Sequence, residues 1–260
     1  MLTFVGLGLY DERSITLQGR DALKQADRVF AERYTSRLVG AEFDDVEAAH
    51  DIDIELRTRE GVERNPDPIL DAAQTGDVVF CTAGDTMIST THVDLRLRAH
   101  ERGIDTRIVH GTTAAAAASS LTGLQNYRFG KATTLPFESS HGGDGVPDSV
   151  IETIEANRER GLHTLVFLDI KVDSDREEYL TGDEAAAMLA ADWDETVPAV
   201  VIARAGSPDP IVRGDRLGAL AEETFGKPLH MLVIPGTVHH IERDALVEIA
   251  GLPAEAADLA

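Results

Sequence analysis

Cysteine is nearly absent from this 260-residue chain: Cys81 stands alone, which excludes an internal disulfide and cannot by itself build a zinc site. Lying within the apolar run VVFCTA, it reads as a buried, inert thiol rather than a nucleophile. No apolar run approaches the ~18 residues needed to span a bilayer, and the N-terminus lacks the basic n-region, h-region and cleavage site of a signal peptide. A soluble, cytoplasmic protein is expected. Positive charge is also scarce. Lys and Arg number 24 against 46 Asp and Glu, a net charge of −22, and the acids are spread through segments such as Glu42-Phe43-Asp44-Asp45-Val46-Glu47. That distribution argues against a nucleic-acid partner held through its phosphates. Such self-repulsion is tolerable where salt shortens the Debye length to ~3 Å at 1 M, so the surface reads as that of a salt-adapted protein from a halophilic organism.

Two further motifs are missing. No G-x-x-x-x-G-K-[ST] loop is present, which argues against nucleoside triphosphate chemistry. The opening VGLGLYDERSIT places Gly6-x-Gly8 after an apolar strand, but Asp11 occupies the place of the third glycine of a dinucleotide fingerprint. Glu32, about 24 residues after Gly8, does not rescue that reading. An adenosine-like or small zwitterionic ligand is expected instead.

What is present is an α/β rhythm. Strand-like runs at Leu2–Leu7, Arg28–Ala31, Ile52–Leu56, Val78–Thr82 and Thr106–His110 alternate with helical patterns at Gln18–Ala26, Pro66–Gln74 and Thr91–Glu101. Parallel units with strands covered on both faces follow from that order. After an alanine-rich helix at Thr113–Leu121, strands are expected at Ala132–Pro136, Thr164–Asp169, Ala199–Ala205 and Leu229–Ile234. Helices are expected near Ser149–Arg160, Asp183–Ala191, Asp215–Glu223 and Arg243–Ala250, and HGGDGVP (His141 to Pro147) reads as a mobile loop. The pattern predicts two α/β domains, residues 1–112 and 113–260.

Three strand ends carry glycine turns. Gly6-x-Gly8 alone is a weak signal, but VVFCTAGDTMISTTH sets Gly84-Asp85 after a buried strand, and IVHGTTAAAAASS sets Gly111, Thr112 and Thr113 before a helix. Ligand crevices in open parallel sheets lie at these carboxyl ends, and free N–H groups at a helix start favour anionic groups. Asp85 has two readings, a turn or capping carboxylate or a contact to a ligand's hydroxyl or amine. His239-His240 invites a metal reading, but neighbours on a strand face opposite ways and no further ligand lies at zinc-like spacing, so no metal is expected. Asp169-Ile170-Lys171 is either an exposed ion pair or the lining of a substrate mouth.

In this order the three turns resemble those of the class III S-adenosylmethionine-dependent methyltransferases, the tetrapyrrole methylase fold, and the likeness spans nearly the whole chain. The stretches GLGLYDERSIT, AERYTS, GDTMISTTH, GLHTLVFLDIK, IARAGSPDP and LHMLVIPGTVHHIE are most similar to archaeal diphthine synthases. A tetrapyrrole methylase proper would begin G-x-G-P-G-D, where this chain has Gly6-Leu7-Gly8-Leu9-Tyr10-Asp11. Thr86 stands for the expected proline after Gly-Asp, and Thr112-Thr113 for Pro-Ser, which should alter loop rigidity without losing binding.

The resemblance implies two α/β domains with a ligand cleft between them, and S-adenosyl-L-methionine as cofactor. Its contacts would fall on Leu9, Asp85, Ile88, Thr113, Ala114, Leu168, Ala205 and His230. It further implies a homodimer that trimethylates the 3-amino-3-carboxypropyl group on a histidine of translation elongation factor 2. In-line methyl transfer to a neutral amine needs no catalytic triad. No general base is assigned; Asp169, His110 and His230 are candidates. The alternatives are a corrin or precorrin methyltransferase of the same fold and a non-catalytic cofactor-binding translation partner. Tyr10, Asp11 and Arg13 are left over, and the rim where a protein substrate enters is the place expected for them.

Overall fold

A computed structural model describes residues 1–33, 35–172 and 177–259. Tyr34, within AERYTS, lies outside the described residues. The chain divides into two compact units, Met1–Ala114 and Ala115–Ala260.

The first unit is built on a five-stranded sheet. Its strands are β1 (Leu2–Gly6), β2 (Arg28–Glu32), β3 (Ile54–Arg57), β4 (Val78–Thr82) and β5 (Thr106–Val109), in the order β3-β2-β4-β1-β5. Every pairing is parallel. β1 and β4 are buried along their whole length, as expected for central strands covered on both faces. Period-2 alternation sorts their side chains. Phe4, Phe80 and Phe30 pack on one face with Ile69, Leu70 and Leu95, while Val5, Cys81 and Ala31 pack on the other with Leu23 and Val46. The Phe4 and Phe80 rings meet edge to face at 6.0 Å, a geometry that adds about 0.5–1.5 kcal/mol to their burial. Cys81 is fully buried, and burial pushes its thiol pKa up to about 12. The acidic stretch 42–47 falls on a helix, Phe43–His50, whose Val46 turns into the core.

The second unit carries β6 (Thr133–Leu135), β7 (Thr164–Leu168), β8 (Ile170–Val172), β9 (Glu177–Tyr179), β10 (Pro198–Ala203), β11 (Ile211–Arg216) and β12 (His230–Ile234). Its main sheet has the order β11-β10-β12-β7-β6, with β8 and β9 forming a separate hairpin. Here the sheet is mixed, because β12 runs antiparallel to both β10 and β7. Consequently β12 begins where β7 and β10 end. The helix expected at Asp215–Glu223 is corrected: Asp215 and Arg216 close β11, which pairs antiparallel with β10, and only Leu217–Leu220 is helical. Leu217 and Leu220 are fully buried, so one short turn suffices to bury them.

Candidate cofactor site

The strand order of the first unit places the ends of β4, β1 and β5 side by side, and the backbone there is packed to contact. Gly8 N–H donates to the Gly84 carbonyl at 3.2 Å and Gly84 N–H to the Gly8 carbonyl at 2.7 Å, a bridge that joins two of the glycine turns. A Cβ on Gly6 would lie 2.5 Å from the Gly84 oxygen and 2.7 Å from the Gly111 nitrogen. All three neighbours are backbone and cannot turn aside, so Gly6 is required by close approach. Gly8 and Gly84 are required by conformation, with φ of 83° and 68°.

Around this edge stand the residues the resemblance picked out. Leu9 follows Gly8, Thr113 and Ala114 open the helix Ala114–Thr122 after β5, and Ile88 projects from the turn after β4 with 45% exposure. Asp85 Oδ2 lies 2.8 Å from His110 Nδ1, while its Oδ1 has a 3.5 Å contact to the Met87 N–H. Oδ1 thus serves the turn through the Met87 N–H and, with a second lone pair, can also accept from a ligand. The turn continues through Ser89, held at φ 56°, and Thr86 Oγ1 is buried without a hydrogen-bond partner among the described residues. This edge fits S-adenosylmethionine: it offers backbone groups at strand ends, an apolar flank and one carboxylate oxygen.

Tyr10 and Asp11 make local contacts. Asp11 Oδ1 accepts from the Arg13 N–H at 3.1 Å and from the Ser14 hydroxyl at 3.2 Å, and the Tyr10 carbonyl accepts from the Gly40 N–H at 2.8 Å. Where a pyrophosphate-binding turn has its last glycine, this chain has an Asx-type turn that closes on itself.

In the second unit, the antiparallel run of β12 gathers Leu168, Ala205 and His230 at one end of the sheet, and the Arg204 N–H donates to the Leu229 carbonyl at 2.8 Å. His230 is held at both nitrogens. Nδ1 accepts from the Gly182 N–H at 2.9 Å and Nε2 faces the Lys227 carbonyl at 2.9 Å, which fixes the neutral Nε2–H tautomer. Burial pushes its pKa down, against the pull of the Lys227 carbonyl. Neither nitrogen is available to take a proton, so His230 serves position and not general-base chemistry. Asp169 is similarly committed, its carboxylate accepting from the Phe137 N–H, the Ser140 hydroxyl and the Ile170 N–H. Lys171 turns instead to the Ser139 hydroxyl at 2.6 Å and the face of Phe137 at 4.7 Å, so of the two readings of this stretch the Asp169–Lys171 ion pair is not formed.

Over residues 1–221 the chain matches the family model described as Tetrapyrrole (Corrin/Porphyrin) Methylases. The diphthine synthase of Halorubrum lacusprofundi is 70% identical over 262 residues, covering 98% of each chain, and that of Halobacterium salinarum is 68% identical, covering 98% of this chain and all of that protein. The chain belongs to the diphthine synthase family. A crystal structure of a diphthine synthase superposes with a TM-score of 0.88 at 37% identity, covering 100% of this chain and 99% of that one. As a family member it is an S-adenosylmethionine-dependent methyltransferase of diphthamide biosynthesis, with the α/β fold of the tetrapyrrole methylases.

Two buried polar clusters of this diphthine synthase-family chain escape sequence reasoning. Glu32, dismissed above as a ribose acid, is 3% exposed at the end of β2, and its Oε2 lies 3.1 Å from His92 Nε2. Both residues sit inside the AERYTS and GDTMISTTH stretches, the only signal that marked them. The other cluster surrounds Glu242, fully buried, which accepts from the Gln125 and His239 N–H groups and lies 3.2 Å from His163 Nε2. His163 Nδ1 accepts from the Gly236 N–H at 3.0 Å, so a neutral imidazole faces an ionised carboxylate. Burial pushes the His163 pKa down despite Glu242. This cluster also corrects the placement of His239 and His240. They lie on no strand: His239 caps the helix His240–Glu248, with its N–H donating to Glu242. Among the described residues no group of three or more His, Cys, Asp and Glu is arranged to hold a metal ion.

Proposed function

We propose that this chain trimethylates the amine of the 3-amino-3-carboxypropyl arm on a modified histidine of translation elongation factor 2. The observation that carries the reading is the end-to-end correspondence with proteins named diphthine synthase, 98% of each chain in the Halorubrum lacusprofundi case. The proposed cofactor contacts are Leu9, Asp85, Ile88, Thr113 and Ala114 of the first unit, together with Leu168, Ala205 and His230 of the second.

S-adenosylmethionine, when bound, supplies an electrophilic methyl group on a sulfonium centre. The chain's own task is to deliver a neutral amine in line, and such positioning contributes up to ~7–11 kcal/mol in well-oriented systems. The amine, with a pKa of about 10 in water by analogy with lysine, loses its proton more readily when desolvated beside a positive charge. His230 and Asp169 are already engaged by other partners, so neither takes that proton. The protein works in the cytoplasm as a homodimer without a nucleic-acid partner, and light scattering should return twice the chain mass.

The deciding experiment incubates the protein with methyl-labelled S-adenosylmethionine and elongation factor 2 carrying the unmethylated arm. Three methyl groups on that arm are expected. Label on a tetrapyrrole instead, or bound cofactor with no label moved, would sink the reading.

A further inference from the structure

Beside the cofactor turn, and wholly within the first unit, lies a cavity of about 400 Å³ lined by Glu32, Thr35, Arg59, Glu63, Thr90 and Thr91 among others. Its volume falls in the range of about 300–1,000 Å³ usual for small-ligand sites. Glu32 is the anomaly in its wall. Oε2 is served by the Thr35 hydroxyl at 3.2 Å and His92 Nε2 at 3.1 Å, but Oε1 is buried with no hydrogen-bond partner among the described residues. A buried acceptor left unmet is destabilising, and packing alone gives no reason to keep it. Its nearest neighbours are held by other partners: His92 Nδ1 faces the Thr82 hydroxyl at 3.4 Å, and Glu63 accepts from Arg59 at 3.0 Å and from the Thr91 hydroxyl at 2.9 Å. One oxygen is held ready while its partner oxygen and the ring beside it are fixed.

The cavity and the cofactor edge share one segment. Asp85 begins it against His110, and Thr90, Thr91 and His92 end it at the cavity. The end of β2 is joined to that of β4 where the Ala83 N–H donates to the Thr35 carbonyl at 3.0 Å. A group that donates an N–H bond would satisfy the open oxygen; Arg59 on the same wall is paired with Glu63.

We infer that this cavity is the subsite for the amino-acid head of the substrate arm, with Glu32 Oε1 accepting an N–H of its amine. The inference rests on the proposed function for the identity of the arm. Each methylation replaces one N–H by N–CH₃, so the hydrogen bonds that nitrogen can donate to Glu32 fall step by step, and the trimethylated product keeps its charge but no donor. Glu32 is thus a positioning residue for substrate and a discriminator against product.

Two measurements test this, one of them independent of turnover. The wild-type protein is titrated with L-2-aminobutyrate, which carries the same head, and with its N,N,N-trimethyl form, while imidazole and amide resonances are followed by NMR at constant potassium chloride. Aminobutyrate is expected to perturb His92, Thr90 and Thr91, and the trimethyl form to bind about tenfold more weakly, a loss of about 1.4 kcal/mol. In the second, Glu32→Gln is expected to raise KM for the modified elongation factor at least about tenfold while the Kd for S-adenosylhomocysteine stays within about twofold. Perturbation elsewhere, equal binding of both probes, a response to potassium alone, or a Glu32→Gln KM like wild type overturns the inference. If Glu32→Gln does not fold, the wild-type titration decides. If the wild type leaves elongation factor 2 unmethylated but the titration behaves as stated, the functional reading has failed and the subsite has not.

Discussion

Asp85 and His110 bind the turn after β4 to the end of β5 through a 2.8 Å contact between Oδ2 and Nδ1. The carboxylate is 13% exposed and the imidazole 76%, so the histidine serves the aspartate more than the reverse. Held in this way, Asp85 presents its other oxygen with little freedom to turn.

Asp85→Ala should therefore weaken S-adenosylhomocysteine binding by about 10- to 100-fold, the equivalent of one hydrogen bond to a charged group at about 1.5–3 kcal/mol. His110→Ala should change it by less than about threefold, because the exposed imidazole only orients the carboxylate and a single hydrogen bond of this kind contributes about 0.5–1.5 kcal/mol. Calorimetric titration of both variants checks the order. Equal losses would place His110 in the cofactor site.

Gly6→Ala should lose cofactor binding and about 1–3 kcal/mol or more of stability, the cost of overpacking at a site that cannot relax. A Cβ at Gly6 meets only backbone, whereas at Gly84 the nearest atom is Thr113 Cα at 3.8 Å and the obstacle is the positive φ. Thermal unfolding of the two alanine variants should rank Gly6→Ala as the more damaging.

Stability should fall on acidification below about pH 6.5, the ordinary histidine value. His163 and His230 have folded pKa values lowered by burial, so above that pH both folded and unfolded chains are neutral there and stability is complete. Below it the unfolded chain binds protons that the folded chain refuses, which favours unfolding until the folded pKa values are reached. Unfolding temperatures between pH 8 and pH 5 report the slope, and His230→Gln should flatten it. A melting temperature level across that range would refute the neutral-tautomer assignment.

Both stability and methyl transfer should rise with potassium chloride into the molar range. With a net charge of −22, the chain repels itself and any acidic protein substrate, and the Debye length falls from about 10 Å at 0.1 M to about 3 Å at 1 M. Relatives at 64–70% identity come from salt-adapted archaea such as Halobacterium and Haloarcula. Melting curves and turnover across a salt series check this, and an optimum at low ionic strength would contradict it.

The central strands were legible because burial on both faces writes itself as an unbroken apolar run: Val78–Thr82 was read with its observed bounds. The glycine turns were legible because close backbone approach admits no other residue. β11 was not, since IVRGDR is half-buried at the edge of the second sheet and its polar residues imitate a helix start. The Glu32–His92 pair was hidden because burial of charged groups rests on partners 60 positions apart, which no local pattern records. Asp11 was missed for the opposite reason. It was left without a role by the sequence, while its carboxylate closes a turn with Arg13 and Ser14, a local contact the fingerprint comparison did not show.

The segment from Asp85 to His92 is anchored at both ends, to His110 at one and to Glu32 and Thr82 at the other. Its length is in consequence a fixed dimension of the first unit. An added or deleted residue there must pull either the aspartate from its histidine or the histidine from its glutamate. By contrast, the turn at Gly142 is open, with nothing within 4 Å of a Cβ there, although its φ of 69° keeps position 142 itself for glycine. Affinity tags, fluorophores or inserted peptides therefore belong in the turn at Gly142, and the Asp85–His92 segment is the last place in the first unit to put them.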